Sequence, residues 1–338
     1  MKPVRHLVRR VLGPPGVALL ALIALLLAPI LSLVELTTLL GRPFGRRPRW
    51  RVARVAVFAA VYTVGECLCL SVCLALWLRS PIPRWRDPAR WQAAHVWVLR
   101  TMLGVLLRAA KTLFGFRLRL DSPRGHTLDP DRPLVVLGRH AGPGASFVLV
   151  HVLLDFARVP RIVLKSRLRL DPALDVVLTR IGCAFVGASG SSRAVEDLAA
   201  RLRPGDALVI FPEGSDWTPT RHRLAVQRLR MRGLRRRAEA AAARPNVLPP
   251  RPAGTLAALT GAPDAQLAVF MHTGHDELLD AAALWRALPL QQELHMVWWS
   301  QPRPQLADEA ACGGWLEGLW GDIDTWIRAE RRTADLET

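Results

Sequence analysis

Residues 134–144 read Leu-Val-Val-Leu-Gly-Arg-His-Ala-Gly-Pro-Gly, an unbroken aliphatic run that ends in a glycine-rich turn carrying His140. Four apolar residues bounded by such a turn read as a strand, and helical spacing over 146–157 follows the turn. Outward from this segment the same order of strand, turn and helix recurs. Further strands are expected at 117–120, 161–164, 207–211, 266–271 and 295–299, and further helices near 172–181, 192–202, 221–243, 252–261 and 314–330. Strands alternating with helices predict an α/β domain with a largely parallel sheet flanked by helices.

In open α/β sheets, ligands bind at the carboxyl ends of the strands. His140 stands at such an end, among glycines that let a substrate approach the backbone, which makes it a candidate general base. On this segment alone, a turn histidine at a helix start reads equally well. A second turn, Phe211-Pro212-Glu213-Gly214, follows the strand 207–211 directly. If the two strands are parallel, Glu213 lies at the same sheet edge as His140 and can accept hydrogen bonds from a hydroxyl-bearing substrate. In isolation, this turn also reads as a strand ending with a solvated Glu.

Taken together and in order, these segments resemble the lysophosphatidate and glycerol-phosphate acyltransferase family. Gly182-Cys183-Ala184-Phe185-Val186 resembles that family's Gly-x-x-Phe-(Ile/Val) block, and Asn246-Val247-Leu248-Pro249-Pro250 its Val/Leu-Pro turn. The ordered set spans residues 92–275. The resemblance implies that His140 takes a proton from a hydroxyl of a lysophospholipid or glycerol-phosphate acceptor. That hydroxyl then attacks the thioester carbonyl of acyl-CoA or of an acyl-carrier protein. It also implies that Phe211, Pro212, Glu213 and Gly214 help to hold the acceptor, and that the backbone of Gly142 and Gly144 meets developing negative charge at a helix start. A neutral imidazole serves as base without a metal or cofactor, so none is expected.

Three positions depart from the family pattern. Five residues past His140, where the family carries the Asp that orients the imidazole, stands Ala145. Ser146 points about 100° away on a helix and Asp155 lies turns further along, so neither replaces the missing carboxylate. Loss of such an orienter costs on the order of 10²–10⁴ in rate, and on this reading Ala145→Asp raises acyl transfer about 10²-fold or more. Ala188 stands where a phosphate-binding Arg is usual, with Arg193 as a nearby replacement. Ser215-Asp216 stand where another Arg often follows Phe-Pro-Glu-Gly, with Arg221 and Arg223 close behind to neutralise an acceptor phosphate. The alternative to an enzyme is a catalytically impaired pseudo-acyltransferase that binds membrane lipid or acts as a scaffold.

Composition narrows the partners. The net charge is +18 and apolar residues make up 51% of 338. Lys2, Lys111 and Lys165 are the lysines, so 46 basic residues less three leaves 43 arginines. Nothing in the sequence resembles a helix-turn-helix, zinc-finger or RNA-recognition pattern, and nucleic acid is not expected as a partner. An anionic membrane is expected, and the arginine-dense stretch 221–237, which has no acid, suits one. Two apolar segments, Val17 to Val34 and Val55 to Leu78, each reach membrane-helix length, with Glu66 inside the second. Basic flanks on both sides and a basic link between favour a hairpin dipping into one leaflet over two full crossings. The expected organisation is a membrane-anchoring hairpin over 1–80 and an acyltransferase-like α/β domain over 81–338, attached to the cell membrane at its cytoplasmic face. The stretch 92–115 reads as an amphipathic helix that packs on a core. Cys67, Cys69, Cys73, Cys183 and Cys312 lack metal-ligand spacing and read as buried thiols.

Overall fold

In a computed structural model, the chain is described over residues 50–338, apart from Pro81, Arg84, Trp85, Arg124, Pro143, 188–191, Glu277 and the last two residues, together with scattered positions between 16 and 33. Most of Val17–Val34, the link 35–49 and Ala188 therefore lie outside the described residues. The chain divides into two compact units, one containing the described residues up to Arg117 with Leu164–Phe185 and Trp285–Gln291, the other Leu118–Val163, Val186–Leu284 and Gln292–Thr338.

The first unit is built on two long helices, α1 (Arg51–Arg79) and α2 (Pro88–Ala109), the latter continued by one wider turn over Ala110–Phe114. Asp87 starts α2 by accepting the N–H groups of Ala89 and Arg90, and Pro88 occupies the first helical position, where its missing donor costs nothing. Counted through Phe114, the second helix is 27 residues long and the first 29, and both are long and apolar enough to cross a membrane. The α2 face carrying His95, Val98, Leu99 and Leu103 is buried, whereas Trp97 and Val105 are exposed. Part of the helix thus packs as expected and part presents apolar surface outward. On α1, Val55, Leu68, Leu74 and Leu78 are exposed as well.

Glu66, the blemish in the apolar run of α1, is buried against the start of a short helix, α4 (Pro172–Arg180), where its Oε2 accepts the Ala173 N–H at 3.3 Å. A helix N-terminus is where a carboxylate is electrostatically favoured. Asp171 caps the same helix through the Leu174 N–H at 2.8 Å and also receives the Tyr62 hydroxyl. At the other end of α4, Arg180 donates to the Cys73 carbonyl and to His95 Nε2, both at 2.9 Å. The remaining ring nitrogen, His95 Nδ1, lies 2.7 Å from the Trp91 carbonyl and donates to it.

The second unit centres on a sheet of seven strands in the order β1-β7-β6-β2-β5-β3-β4. These are β1 (Leu118–Asp121), β2 (Leu134–Gly138), β3 (Val159–Lys165), β4 (Ala184–Val186), β5 (Asp206–Ile210), β6 (Gln266–Thr273) and β7 (Leu294–Gln301). Pairing is parallel between β1 and β7, β6 and β2, β2 and β5, and β5 and β3, while β6 and β7 run antiparallel. The expected largely parallel α/β sheet is present. Every residue of β2 and β5 is buried, which is why both read as continuous aliphatic runs instead of alternating ones. The helices are α3 (Ala145–Asp155), α5 (Ser192–Ala199), α6 (Pro219–Met231), α7 (Arg235–Ala242), α8 (Pro252–Gly261), α9 (Ala281–Ala287) and α10 (Glu309–Leu336). The single helix expected over 221–243 is two, because Gly233 adopts φ 74° and turns the chain between α6 and α7. Leu316, Trp320, Ile323 and Ile327 of α10 join Val135, Leu137, Leu208 and Val269 in the main core.

The exposed apolar length of α1 and α2 leads to the first prediction. The full chain should stay with membranes through a high-salt wash and require detergent for release, since apolar burial is insensitive to ionic screening. Quantitative release by salt alone, measured by sedimentation and immunoblotting, would rule out apolar anchoring.

Candidate active site

Parallel pairing of β2 with β5 in the register Leu137 to Ile210 brings the ends of both strands to one sheet edge. His140 leaves the first strand and Phe211 the second, and their rings meet with centroids 4.5 Å apart. This contact depends on Gly138, where a Cβ would lie 2.8 Å from the Phe211 ring. Beyond the sheet the two chains pair once more, through a parallel bridge between Ala141 and Trp217, with the Trp217 N–H bonded to the His140 carbonyl at 2.6 Å. Trp217 is itself fixed by its indole N–H on the Pro245 carbonyl at 2.9 Å and by burial against Ala141 and Leu248.

That second pairing sets Asp216 beside His140, with Asp216 Oδ1 2.8 Å from Nδ1. The distance is that of an ion pair, although the ring N–H is not aligned for a well-formed hydrogen bond. The His140 side chain is 25% exposed and that of Asp216 is 43% exposed, so the pair is open to a substrate. Asp216 is held from its other side by Arg221, whose Nη1 lies 3.0 Å from the Asp216 carbonyl and 3.4 Å from Oδ2. The imidazole of His140, and then Arg221, keep the Asp216 carboxyl below its usual range. With a carboxylate on Nδ1, the imidazole presents Nε2 as its lone-pair nitrogen, and no described residue hydrogen-bonds it. The sequence reading looked for a carboxylate near His140 only along the following helix, and Asp216, from the other strand end, is one it did not consider. Its position two residues past the Phe-Pro-Glu-Gly turn was visible, but the bridge that turns it toward His140 was not.

Glu213 occupies a different place from the one a solvated, acceptor-facing carboxylate has. It is 2% exposed, and its oxygens take the Trp320 indole N–H at 3.2 Å, the Leu248 N–H at 3.4 Å and the backbone N–H of His140. Three of the four motif blocks thus share one buried carboxylate as a common anchor, and the 182–186 block does not. Burial pushes the Glu213 carboxyl up to about 7, against the lowering pull of Arg139 and its hydrogen bonds. Pro212 gives its carbonyl to the Arg251 N–H at 2.8 Å, and Gly214, at φ 69°, turns the chain over the Arg251 side chain.

Arg139, next to His140, is 2% exposed. Its Nη1 reaches Asp276 Oδ1 at 2.7 Å and the His272 carbonyl at 2.6 Å, and its Nη2 the Asn246 carbonyl at 2.7 Å. Asp276 in turn receives Thr273 Oγ1 at 2.8 Å and Arg331 at 3.0 Å. Burial opposes ionisation of Asp276, but Arg139, His272 and the Thr273 hydroxyl bring it down to about 2. Nothing in the sequence marked Arg139 as structural.

Gly142 (φ 72°) and Gly144 (φ 80°) both take left-handed backbone, and a Cβ on Gly142 would lie 2.7 Å from the His275 carbonyl. Gly144 is the residue before α3, whose leading N–H groups have no helical partner. Ala145 opens that helix and is 5% exposed. Arg221 and Arg223 lie on the first turns of α6, the former on Asp216 and the latter 3.5 Å from Thr220 Oγ1. Arg193 is exposed on α5, and among the described residues no contact joins it to His140, Asp216 or Arg221. Among the described residues there is also no cluster of three metal-ligating side chains.

His140, Arg193, Glu213, Asp216, Arg221 and Arg223 all lie between residues 122 and 249. Residues 122–249 match the profile of the Acyltransferase family. A solved structure similar to this chain is that of the 1-acyl-sn-glycerophosphate (LPA) acyltransferase PlsC from Thermotoga maritima, with a TM-score of 0.51 at 12% identity, covering 82% of this chain and 97% of that one. At that identity the likeness is one of fold. No curated protein matches the chain in sequence.

Glu213 generates a prediction about stability. Its folded value of about 7 lies above the usual 4.5, so its contribution is full below about pH 4.5 and is lost as pH rises through about 7. Glu213→Gln keeps an oxygen for its donors and has no proton to lose. The difference in unfolding midpoint between variant and wild type should therefore move in favour of the variant between pH 5 and pH 8. Parallel curves in thermal unfolding across that range would contradict it.

Proposed function

We propose that the chain is a membrane-attached O-acyltransferase that moves an acyl group from acyl-CoA or an acyl-carrier protein to a hydroxyl of a lysophospholipid or glycerol-phosphate acceptor. The observation that carries this reading is His140 at the strand ends with a carboxylate on Nδ1 and its Nε2 unengaged. The family match of residues 122–249 and the shared fold with an LPA acyltransferase support the same chemistry.

In this reaction Nε2 of His140 takes the acceptor's hydroxyl proton as the oxygen attacks the thioester carbonyl. The tetrahedral intermediate's oxyanion lies by the Gly142–Gly144 turn, where backbone donors at the start of α3 stabilise it. Collapse breaks the carbon–sulfur bond, and the departing thiolate recovers the proton from the imidazolium, leaving an ester and a free thiol. Glu213 serves by holding the His140 backbone and the 246–250 turn in place, and Phe211 by backing the imidazole ring. Arg223, with Arg221 beside it on Asp216, supplies positive charge for an acceptor phosphate, with Arg193 as a further cation of the same sheet domain.

Membrane attachment has two sources. The N-terminal apolar hairpin over 1–80 anchors the chain, and the surface of α6 and α7 lies on the anionic leaflet. That surface exposes Leu224, Met231 and Leu234 among arginines, and no acidic residue occurs from Trp217 to Ala238. The alternative of a silent lipid-binding scaffold rests on Ala145, and a carboxylate already beside His140 weakens it.

In detergent-solubilised full-length protein, His140→Ala should lower transfer of labelled acyl chains from acyl-CoA to a lysophospholipid by about 10²–10⁴-fold. Equal rates for wild type and variant, with either donor type, would remove His140 from the chemistry and this reading with it.

A further inference from the structure

We propose that Asp216 is the positioning carboxylate of His140, so that this chain assembles its catalytic pair from two strand-end loops. The proposal rests on the acyltransferase reading above but makes a claim about one side chain that can fail separately. Its basis is geometric. Asp216 Oδ1 is 2.8 Å from Nδ1, and the two residues are locked in register by the Ala141–Trp217 bridge and the Trp217 N–H on the His140 carbonyl. Arg221 holds the far side of the carboxylate, limiting its rotation away from the ring. The off-line approach of the ring N–H needs only a small swing of the Asp216 side chain, and pairs of this kind commonly tighten when a substrate binds.

The chemistry of the pair explains why position 145 tolerates Ala. An orienting carboxylate must accept the Nδ1 proton, leave the lone pair on Nε2 and stabilise the imidazolium that forms. All three tasks depend on where the oxygen lies and not on which residue brings it. A surface salt bridge with His140 performs none of them if Nδ1 is also served by another group, yet among the described residues no other acceptor reaches Nδ1. Arg221 faces the carboxylate, while Glu213, Arg139 and His272 lie behind the His140 backbone.

The test uses the full chain in detergent micelles with acyl-CoA and a lysophospholipid. Asp216→Asn and Asp216→Ala should lower kcat by about 10²–10⁴-fold with KM within about threefold of wild type. The residual activity of Asp216→Asn should have its acid limb at lower pH, because the anion that favours the imidazolium is gone. Ala145→Asp placed on Asp216→Ala should recover at least about tenfold. Selective ¹⁵N-histidine labelling, with the His140 signal assigned from His140→Ala, gives a readout independent of turnover. Wild type should show the Nδ1–H tautomer, and Asp216→Ala a redistribution toward Nε2–H. Unchanged kcat and an unchanged tautomer in Asp216→Ala would overturn the proposal. A tautomer change in a protein that transfers no acyl group, even as wild type, would uphold the pairing and overturn the acyltransferase reading instead. A loss of kcat without any tautomer or pH-profile change would make Asp216 merely structural and would also overturn it.

Discussion

A guanidinium cannot be left in a protein interior without partners, and Arg139 is the place where that constraint shapes this molecule. Its donors go to a carboxylate and two backbone carbonyls, from the end of β6 and the 246–250 turn. Removing one partner of a buried pair of this kind costs about 3–5 kcal/mol, because a charge remains with nothing to answer it. Loops that are ordinarily free to drift are therefore fixed relative to β2. His140 is the next residue along, and it inherits that rigidity without contributing to it.

Glu213 acts on the same loops through neutral donors. Its oxygens collect the His140 and Leu248 backbone and the Trp320 indole, joining strand-end turns to the long C-terminal helix. A carboxylate with such a partner set is a hub for packing, while His140 and Asp216 on the outer side of the loops stay partly exposed. Burial inside and exposure outside thus divide the two acids of Phe-Pro-Glu-Gly-Ser-Asp between separate tasks.

The central strands of the sheet were legible because β2 and β5 are buried on both faces and carry aliphatic runs, Leu134–Leu137 and Ala207–Ile210. β4 has three residues and α9 seven, too short for a periodic signal, and neither was expected. The histidine loop and the glutamate turn were legible from position at strand ends. Asp216 was not, since its relation to His140 is set by one bridge outside the strands, across a separation in sequence that no spacing rule covers. Glu213's burial depends on Trp320, over a hundred residues away on α10, and Glu66's partner is the start of a helix that no local pattern links to α1.

The bridge between Ala141 and Trp217 also ties the chemistry to the most easily frayed part of the sheet. A histidine and an aspartate on adjacent turns of one helix stay together as long as that helix persists. Here the two members come from different chain segments that meet beyond the last regular β2–β5 pair, through the Ala141–Trp217 bridge and the Trp217 N–H on the His140 carbonyl. Strand ends open with far smaller free energies than whole domains. Local opening at this point would part His140 from Asp216 in molecules that are otherwise folded, and amide exchange at Trp217, whose N–H bonds the His140 carbonyl, is the measurement that would detect it.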